Sequence, residues 1–156
     1  MLKYCLDAYP AVLTGKRSPL SVLFPDGTPQ FLEGFANQGR TLGDLCETMA
    51  LDALKQHILA QAGKRLRILE VGAGSGTVGK VLFPAIAGLQ VEYCYTDLGR
   101  GIILEAQKQF AAYPFVQYQT FNIEEDPLAQ GFVPEQFDII IGLNVIHATS
   151  RLRTSL

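Results

Sequence analysis

The second half of the chain alternates between short apolar runs and segments with helical spacing. Short apolar runs predict β-strands, and the intervening segments place their apolar residues along one side of a helix. The predicted strands cover residues 66–71, 91–96, 115–121 and 137–143, and the predicted helices cover 76–88 and 101–112. This alternation is typical of an α/β protein with a doubly wound parallel sheet, in which ligands bind at the carboxyl ends of the strands.

The first half of the chain has a different pattern. Residues 1–40 are rich in turn-forming dipeptides and predict a short helix followed by an irregular arm. Residues 41–62 predict a longer helix, which Thr41 can cap and Gly63 ends. Its apolar stripe comprises Leu42, Leu45, Met49, Leu54, Ile58 and Leu59. The chain is therefore expected to consist of an N-terminal, lid-like extension over 1–62 and a core over 63–156.

Composition and charge narrow the class of protein. Hydrophobic residues make up 48% of the sequence and charged residues 18%, which is enough apolar material for a packed core. The net charge of -2 argues against nucleic acid as a partner, because a nucleic-acid surface needs basic patches. No apolar run approaches the ~20 residues of a membrane span. Cys5, Cys46 and Cys94 are too scattered for a disulfide framework, so we expect a cytoplasmic protein with buried thiols.

The strongest chemical motif lies where the first predicted strand meets the first predicted helix. Glu70 ends the strand, and Gly72, Gly74 and Gly76 follow it in a tight turn. Glycines are needed where the backbone turns sharply and approaches a ligand so closely that a Cβ atom would collide. Asp97 ends the second predicted strand, about 20 residues after the turn, where an acidic side chain accepts hydrogen bonds from ribose hydroxyls. Together these residues predict a ligand that contains a nucleoside.

Two kinds of nucleoside ligand fit this motif. Gly74, Gly76 and Gly79 also form the G-x-G-x-x-G pattern of dinucleotide-binding proteins, so an NAD(P)-binding oxidoreductase domain is one alternative. Glu70 favours S-adenosylmethionine (SAM), because a carboxylate can hold the ammonium group of SAM and would repel a pyrophosphate. The N–H groups at the start of the following helix can bind the carboxylate of SAM, just as helix N-termini bind phosphates.

Residues 70–76 resemble motif I of the class I SAM-dependent methyltransferases, a family with a Rossmann-like fold. Asp97 matches the acidic ribose-binding position of that family. Asn122 follows the third predicted strand and matches a position near the adenine that usually holds Asp. The amide oxygen of Asn can still accept a hydrogen bond from the adenine amino group. The resemblance therefore implies that the cofactor is SAM.

The segment 137–149 narrows the resemblance to the C-methyltransferase domains of polyketide synthases. Those domains typically contain an Asn, two apolar residues and then His-Ala-Thr, as residues 144–149 do here. The segments 13–25 and 126–132 are also similar to them. The resemblance implies that Asn144 belongs to the cofactor site. It also implies that His147 is the general base that removes a proton from the carbon between two carbonyls of an acyl chain on an acyl carrier protein.

The same resemblance predicts an incomplete domain. The family fold has seven strands, and we predict four here, in the order 3-2-1-4, with a very apolar fourth strand at an uncovered edge. The core is therefore expected to be truncated after the fourth strand, which favours inactivity of this polypeptide alone. Two functions remain open. One is a methyltransferase that works beside other polyketide synthase domains, and the other is a non-catalytic remnant with a structural role in a megasynthase.

Overall fold

A computed structural model gives the fold, and it describes residues 2–25, 27 and 42–150. The chain forms two compact units, Met1–Thr41 and Leu42–Leu156. The first unit contains helices α1 (Leu2–Leu13) and α2 (Pro19–Leu23). Helix α2 was not predicted; it begins after Ser18 with a proline in its first turn, a position that suits the fixed φ angle of proline. The predicted arm over 28–40 and the Thr41 cap lie outside the described residues.

The second unit alternates strands and helices, as predicted. Helix α3 (Leu42–Ala60) comes first and is followed by β1 (Leu66–Glu70), α4 (Thr77–Ile86), β2 (Val91–Asp97), α5 (Arg100–Gln109), β3 (Val116–Thr120) and β4 (Ile139–Ile141). Two 3₁₀ turns cover Leu128–Gln130 and Ile146–Ala148. The strands form one parallel sheet in the order β3-β2-β1-β4, which confirms the predicted fold class and strand order.

Strand β4 is shorter than predicted at both ends. Before it, the Asp138 carboxylate accepts hydrogen bonds from the Arg67 backbone N–H at 2.8 Å and from the Arg67 guanidinium at 3.0 Å. Because a side chain takes this backbone donor, the pairing with β1 does not extend further. After Ile141 the chain turns, and Asn144 adopts a positive φ angle of 53°, which is incompatible with extended backbone.

Helices α3, α4 and α5 cover one face of the sheet with the larger part of the core. Phe83 of α4 lies at its centre, and its ring meets the rings of Tyr93 and Phe110 edge-on at centroid distances of 4.8 Å. Such edge-to-face pairs contribute about 0.5–1.5 kcal/mol beyond the burial of their surface. This aromatic cluster fixes α4 and α5 against β2, and so fixes the loops at the carboxyl end of the sheet.

Among its described side chains, helix α3 packs on this core through its second half. Leu51 and Ile58, which lie seven residues apart and therefore on the same side of the helix, are buried. Leu45 and Met49 are exposed, so the predicted apolar stripe is wrong at these two positions. The predicted division of the chain after residue 62 stays a prediction.

The other face of the sheet carries a smaller apolar cluster of Leu69, Val71, Phe121 and Phe132. Cys94 packs against this cluster, and burial raises the pKa of its thiol to about 11. Cys46 is exposed on α3, so the expectation of buried thiols is wrong there. In the part of the chain that the structure describes, the helices are too short or too polar to cross a membrane.

Candidate functional site

The glycine turn, defined here as residues 72–76, leaves β1 at the carboxyl end of the sheet. Gly72, Gly74 and Gly76 have φ angles of 61°, 56° and 78°, all in the left-handed region that favours glycine. The turn continues directly into α4, which begins at Thr77. The glycine motif therefore has the strand–turn–helix context that its proposed role requires.

The three glycines differ in what surrounds them. A Cβ atom on Gly72 would collide with Cγ2 of Val145, and one on Gly76 would lie 2.6 Å from Cε2 of Phe110. Side chains of the protein itself occupy the space at these two positions. A Cβ atom on Gly74 would meet only the Gly72 carbonyl oxygen, at 4.0 Å. Gly74 therefore borders open space and leaves room for a ligand.

Strand β2 holds the glycine turn through three hydrogen bonds. The Ala73 N–H donates to the Thr96 carbonyl at 2.9 Å. The Gly74 N–H donates to the Asp97 carboxylate at 2.9 Å, and the Gly74 carbonyl accepts from the Tyr95 hydroxyl at 2.9 Å. Both polar groups of Gly74 are thus bound by side chains of one strand. Tyr95 was not among the predicted site residues, because strand periodicity shows which residues share a face but not that a hydroxyl reaches the neighbouring loop.

Asp97 is buried at the end of β2. Besides the Gly74 N–H, its carboxylate accepts a hydrogen bond from the Gly99 N–H at 2.9 Å. A carboxylate has roughly four lone-pair positions, so acceptor capacity remains for the hydroxyl groups of a ligand. Asp97 therefore joins the loop after β1 to the loop after β2, and it lies where the sequence predicted a ribose-binding acid.

Glu70 lies at the end of β1 with only 1% of its surface exposed. Its carboxylate accepts a hydrogen bond from the Tyr93 hydroxyl at 2.7 Å. Burial raises the pKa of Glu70 to about 7, while the Tyr93 hydrogen bond lowers it and the charge of Asp97 raises it. The predicted contact of Glu70 with an ammonium group stays a prediction, because in this structure the side chain is enclosed in the core beside the turn.

Asn122 follows β3, and its side chain is engaged within its own loop. Its Oδ1 accepts the Glu124 N–H at 3.0 Å, and its Nδ2 donates to the Glu125 carboxylate at 3.0 Å. Gln130, which the sequence analysis missed, binds the Asn122 backbone N–H at 2.8 Å and the Asn122 carbonyl at 2.9 Å. An amide oxygen has two lone pairs, so Oδ1 can accept one further hydrogen bond from a ligand.

Asn144 and His147 lie in the segment that follows β4, and both are exposed. The positive φ angle of Asn144 is one that Asn tolerates better than most residues. His147 lies in the 3₁₀ turn Ile146–Ala148. Among the described residues, no side-chain hydrogen bond or ion pair holds the imidazole in place.

A hydrogen-bonded contact joins the loops that follow the two edge strands. Glu124, after β3, accepts a hydrogen bond from the Ser150 N–H at 2.7 Å and another from the Ser150 hydroxyl. Because β3 and β4 lie at opposite edges of the sheet, this contact crosses the carboxyl ends of β1 and β2. It therefore joins the loop that contains Asn122 to the segment that follows the His147 turn.

The fold thus collects all the predicted site residues at one end of the sheet, with Glu70 and Asp97 buried at the ends of β1 and β2 and the others in the segments that follow the strands. Among the described residues there is no cluster of three or more His, Cys, Asp or Glu side chains that could hold a metal ion. The predicted site residues are Glu70, Gly72, Gly74, Gly76, Asp97, Asn122, Asn144 and His147.

Comparison with known sequences finds a family and several large enzymes. A family described as "Methyltransferase domain" matches residues 69–156. Polyketide synthase PksR of Bacillus subtilis (strain 168) is 32% identical over 163 residues, and polyketide synthase ThaQ of Burkholderia thailandensis is 34% identical over 164 residues. Both alignments cover 100% of this chain but only 6% and 8% of those proteins. The chain therefore spans a small part of the curated relatives that it matches.

Comparison with solved structures finds carbon methyltransferases of similar fold. The DszA carbon methyltransferase is 33% identical with a TM-score of 0.76, and the CurJ carbon methyltransferase is 31% identical with a TM-score of 0.80. Each match covers 99% of this chain and 41% of the solved chain. The trans-methyltransferase CalH, solved as a complex with SAH, is 28% identical with a TM-score of 0.67, and the match covers 97% of this chain and 41% of that chain.

Proposed function

The chain belongs to the methyltransferase domain family, among the class I methyltransferases related to the C-methyltransferase domains of polyketide synthases, and we propose that its glycine turn binds SAM. We further propose that the reaction served is methylation of a carbon in a β-ketoacyl chain carried by an acyl carrier protein. The curated relatives are polyketide synthases, which supports other domains of such a synthase as the partners of this chain.

The SAM proposal rests on the open space at Gly74. This space lies between two sets of polar groups that can bind the ligand. On one side the first N–H groups of α4 face no helical acceptor, which suits the carboxylate of SAM. On the other side Asp97 retains acceptor capacity for the ribose hydroxyls. The residues present therefore suit the two charged and hydroxyl-bearing ends of SAM.

The remaining candidate residues take distinct tasks in this proposal. Asn122 accepts a hydrogen bond from the adenine amino group, and Asn144 borders the cofactor from the opposite loop. Glu70 is enclosed beside the turn, and its proposed task is to hold the ammonium group of SAM. Gly72 and Gly76 allow the tight packing of that turn against Val145 and Phe110.

His147 is the proposed general base. SAM supplies an electrophilic methyl group at its sulfur. The His147 imidazole accepts the proton from the carbon between the two carbonyl groups, and the electron pair left on that carbon forms the new carbon–carbon bond. The carbon–sulfur bond to the methyl group breaks at the same time, which leaves S-adenosylhomocysteine (SAH). The exposure of His147 suits an acceptor chain that a carrier protein delivers from solvent.

A dinucleotide is the less favoured ligand. Gly79, the last glycine of the dinucleotide pattern, is explained by packing, since a Cβ atom there would lie 2.8 Å from Cε2 of Phe83 and 3.1 Å from Cζ of Phe110. Two carboxyl groups, those of Glu70 and Asp97, lie close to the turn and create an unfavourable potential for a pyrophosphate.

A structural role without catalysis is the second candidate. It is favoured by one observation, the absence of any side-chain partner for His147 among the described residues. A general base usually has a second group that orients its ring. A domain of this kind would retain the SAM-binding turn and would act as a structural part of the synthase.

Two measurements test the proposed function. Isothermal titration of the chain with SAM, SAH and NADH should show binding of SAM and SAH only, and binding of NADH alone would refute the proposal. The second measurement uses a chimaera in which residues 1–156 replace the matching 41% of the DszA carbon methyltransferase. This chimaera should methylate a β-ketoacyl carrier protein, as detected by mass spectrometry. SAM binding without methyl transfer would favour the structural role.

A further inference from the structure

Tyr95 connects β2 to the glycine turn through a buried hydroxyl group. Its side chain has no exposed surface, and the hydroxyl donates to the Gly74 carbonyl at 2.9 Å. The ring contacts the rings of Phe110 and Tyr118, at centroid distances of 6.1 Å and 5.7 Å. Because interiors are closely packed, these neighbours restrict the ring and hold the hydroxyl in one place.

The hydroxyl of Tyr95 stays protonated and remains a hydrogen-bond donor. Burial raises the pKa of Tyr95, and the neighbouring carboxyl groups of Glu70 and Asp97 raise it further. The group therefore keeps its proton at neutral pH and always has a hydrogen to offer to the Gly74 carbonyl.

The bond from Tyr95 sets the direction of the next amide group. In a trans peptide unit the C=O and N–H bonds point to opposite sides. Since the Gly74 carbonyl points at Tyr95, the Ser75 N–H of the same peptide unit points away from the core. Within the described residues this N–H has no acceptor, and Ser75 is half-buried beside the open space at Gly74.

We propose that Tyr95 is a positioning residue of the SAM site, which turns the Ser75 N–H toward the carboxylate of the ligand. The inference rests on the proposed function, since it takes SAM as the ligand. Asp97 fixes the peptide unit before Gly74, and Tyr95 fixes the one after it. Loss of the Tyr95 hydroxyl frees the second unit to rotate, and affinity falls although no group that touches the ligand has changed.

The substitution Tyr95→Phe removes the hydroxyl and little else. Tyr118→Phe is the matched control, because the Tyr118 hydroxyl on the adjacent strand is buried with no hydrogen-bond partner among the described residues. Isothermal titration with SAH should be run on the full chain at a temperature where all variants are folded. Binding should weaken about three- to tenfold for Tyr95→Phe and change by less than about twofold for Tyr118→Phe.

Two further readouts separate positioning from a general loss of stability. Replacement of Tyr95 by 4-aminophenylalanine, whose amino group can donate, should restore most of the SAH affinity, whereas 4-fluorophenylalanine should not. The Gly76 N–H donates to the Ala73 carbonyl at 3.0 Å across the turn. Its hydrogen exchange, followed by NMR without ligand, should be faster in Tyr95→Phe than in the parent chain or in Tyr118→Phe.

Three results would overturn the role of Tyr95: parental SAH affinity in Tyr95→Phe, equal losses in Tyr95→Phe and Tyr118→Phe, or failure of 4-aminophenylalanine to restore binding. If the parent chain binds no SAH, the proposed function fails by itself, and the Gly76 exchange then decides the role of Tyr95. Faster exchange in Tyr95→Phe upholds its control of the turn, and unchanged exchange overturns it.

Discussion

The glycine turn and the His147 turn, residues 146–148, lie at the same end of the sheet but are built differently. Three hydrogen bonds from β2 hold the glycine turn, and two of them come from the buried side chains of Tyr95 and Asp97. The His147 turn is held only by its neighbours among the described residues: Val145 before it packs on the smaller apolar cluster, and Ser150 after it makes the exposed contact with Glu124. The sheet therefore fixes the shape of the first region, whereas the second region rests on the surface.

This difference separates binding from chemistry. A pre-formed, buried turn holds its ligand with little ordering of its own groups, which strengthens binding. A base on an exposed turn meets the acceptor from solvent, and it contributes when the proton moves and little before that. Substitutions around the glycine turn should therefore change the affinity for SAM, and substitutions in the His147 turn should change the rate.

Gly74→Val should have the largest effect on the affinity for SAM. Its side chain would project into open space, so the chain should still fold, with a penalty of about 1–2 kcal/mol for a left-handed residue other than glycine. SAM binding should fall below detection in isothermal titration, because the two methyl groups occupy the path of the ligand. Gly88→Val is the control, since a Cβ atom there meets nothing within 4 Å and the φ angle is not left-handed. Tight SAM binding by Gly74→Val would place the ligand elsewhere.

His147→Ala is the corresponding test of the rate of methyl transfer. In the chimaera with the DszA carbon methyltransferase, methyl transfer should fall about 10²–10⁴-fold, the usual contribution of a positioned acid or base. The affinity for SAH should change by less than about twofold, because a base contributes little to ground-state binding. His57→Ala, at the other histidine of the chain, should leave both quantities unchanged. A loss of SAH affinity that equals the loss of rate would remove the distinction between the two regions.

Asp97→Ala and Asn122→Ala compare a buried and a half-buried contact within the cofactor site. Asp97→Ala removes charged acceptors for two hydroxyl groups and also the acceptor of the Gly74 N–H. Hydrogen bonds to charged groups contribute about 1.5–3 kcal/mol each, so SAH affinity should fall at least about a hundredfold. Asn122→Ala removes one neutral bond and should cost about three- to tenfold. Equal losses in isothermal titration would show that the ribose is not held by Asp97.

Sequence reasoning predicted the features that have a fixed period or a compact motif. The four strands followed from the spacing of apolar runs, their order followed from the family resemblance, and the glycine turn followed from residues 70–76. The parallel sheet then explains why all the candidate residues lie at one end. Contacts between distant loops have no such signal. The bond from Tyr95 to Gly74 spans 21 residues and the bond from Ser150 to Glu124 spans 26, and nothing in either local pattern indicates them.

Glu70 shows a different limit of sequence reasoning. A carboxylate next to a glycine turn was interpreted as a group that faces the ligand. Its surroundings depend on β2, which supplies Tyr93, and on the helices that cover this face of the sheet. The motif therefore identified the residue but could not predict that it is enclosed.

The enclosure of Glu70 predicts a pH dependence of stability. Its pKa in the folded chain is about 7, above the ordinary value of 4.5 that applies when the chain is unfolded. Between these pH values the folded chain binds more protons than the unfolded chain, so the free energy of unfolding decreases as the pH rises. The contribution is fully present below about pH 4.5 and is lost by about pH 7. The loss should be about 1–3 kcal/mol.

Glu70→Gln removes the charge but keeps an oxygen that can accept the Tyr93 hydroxyl. The substituted chain should therefore gain stability relative to the parent as the pH rises from 4.5 to 7 in urea unfolding experiments. Glu105→Gln, at an exposed ion pair with Lys108, is the control and should change stability by about 0.5 kcal/mol or less. Because Gln keeps a side-chain oxygen beside the turn, SAH affinity at pH 6 should change by less than about tenfold. Parallel stability curves for the parent and Glu70→Gln would mean that the carboxylate is solvated, and the glycine turn would then be no more enclosed than the turn that carries His147.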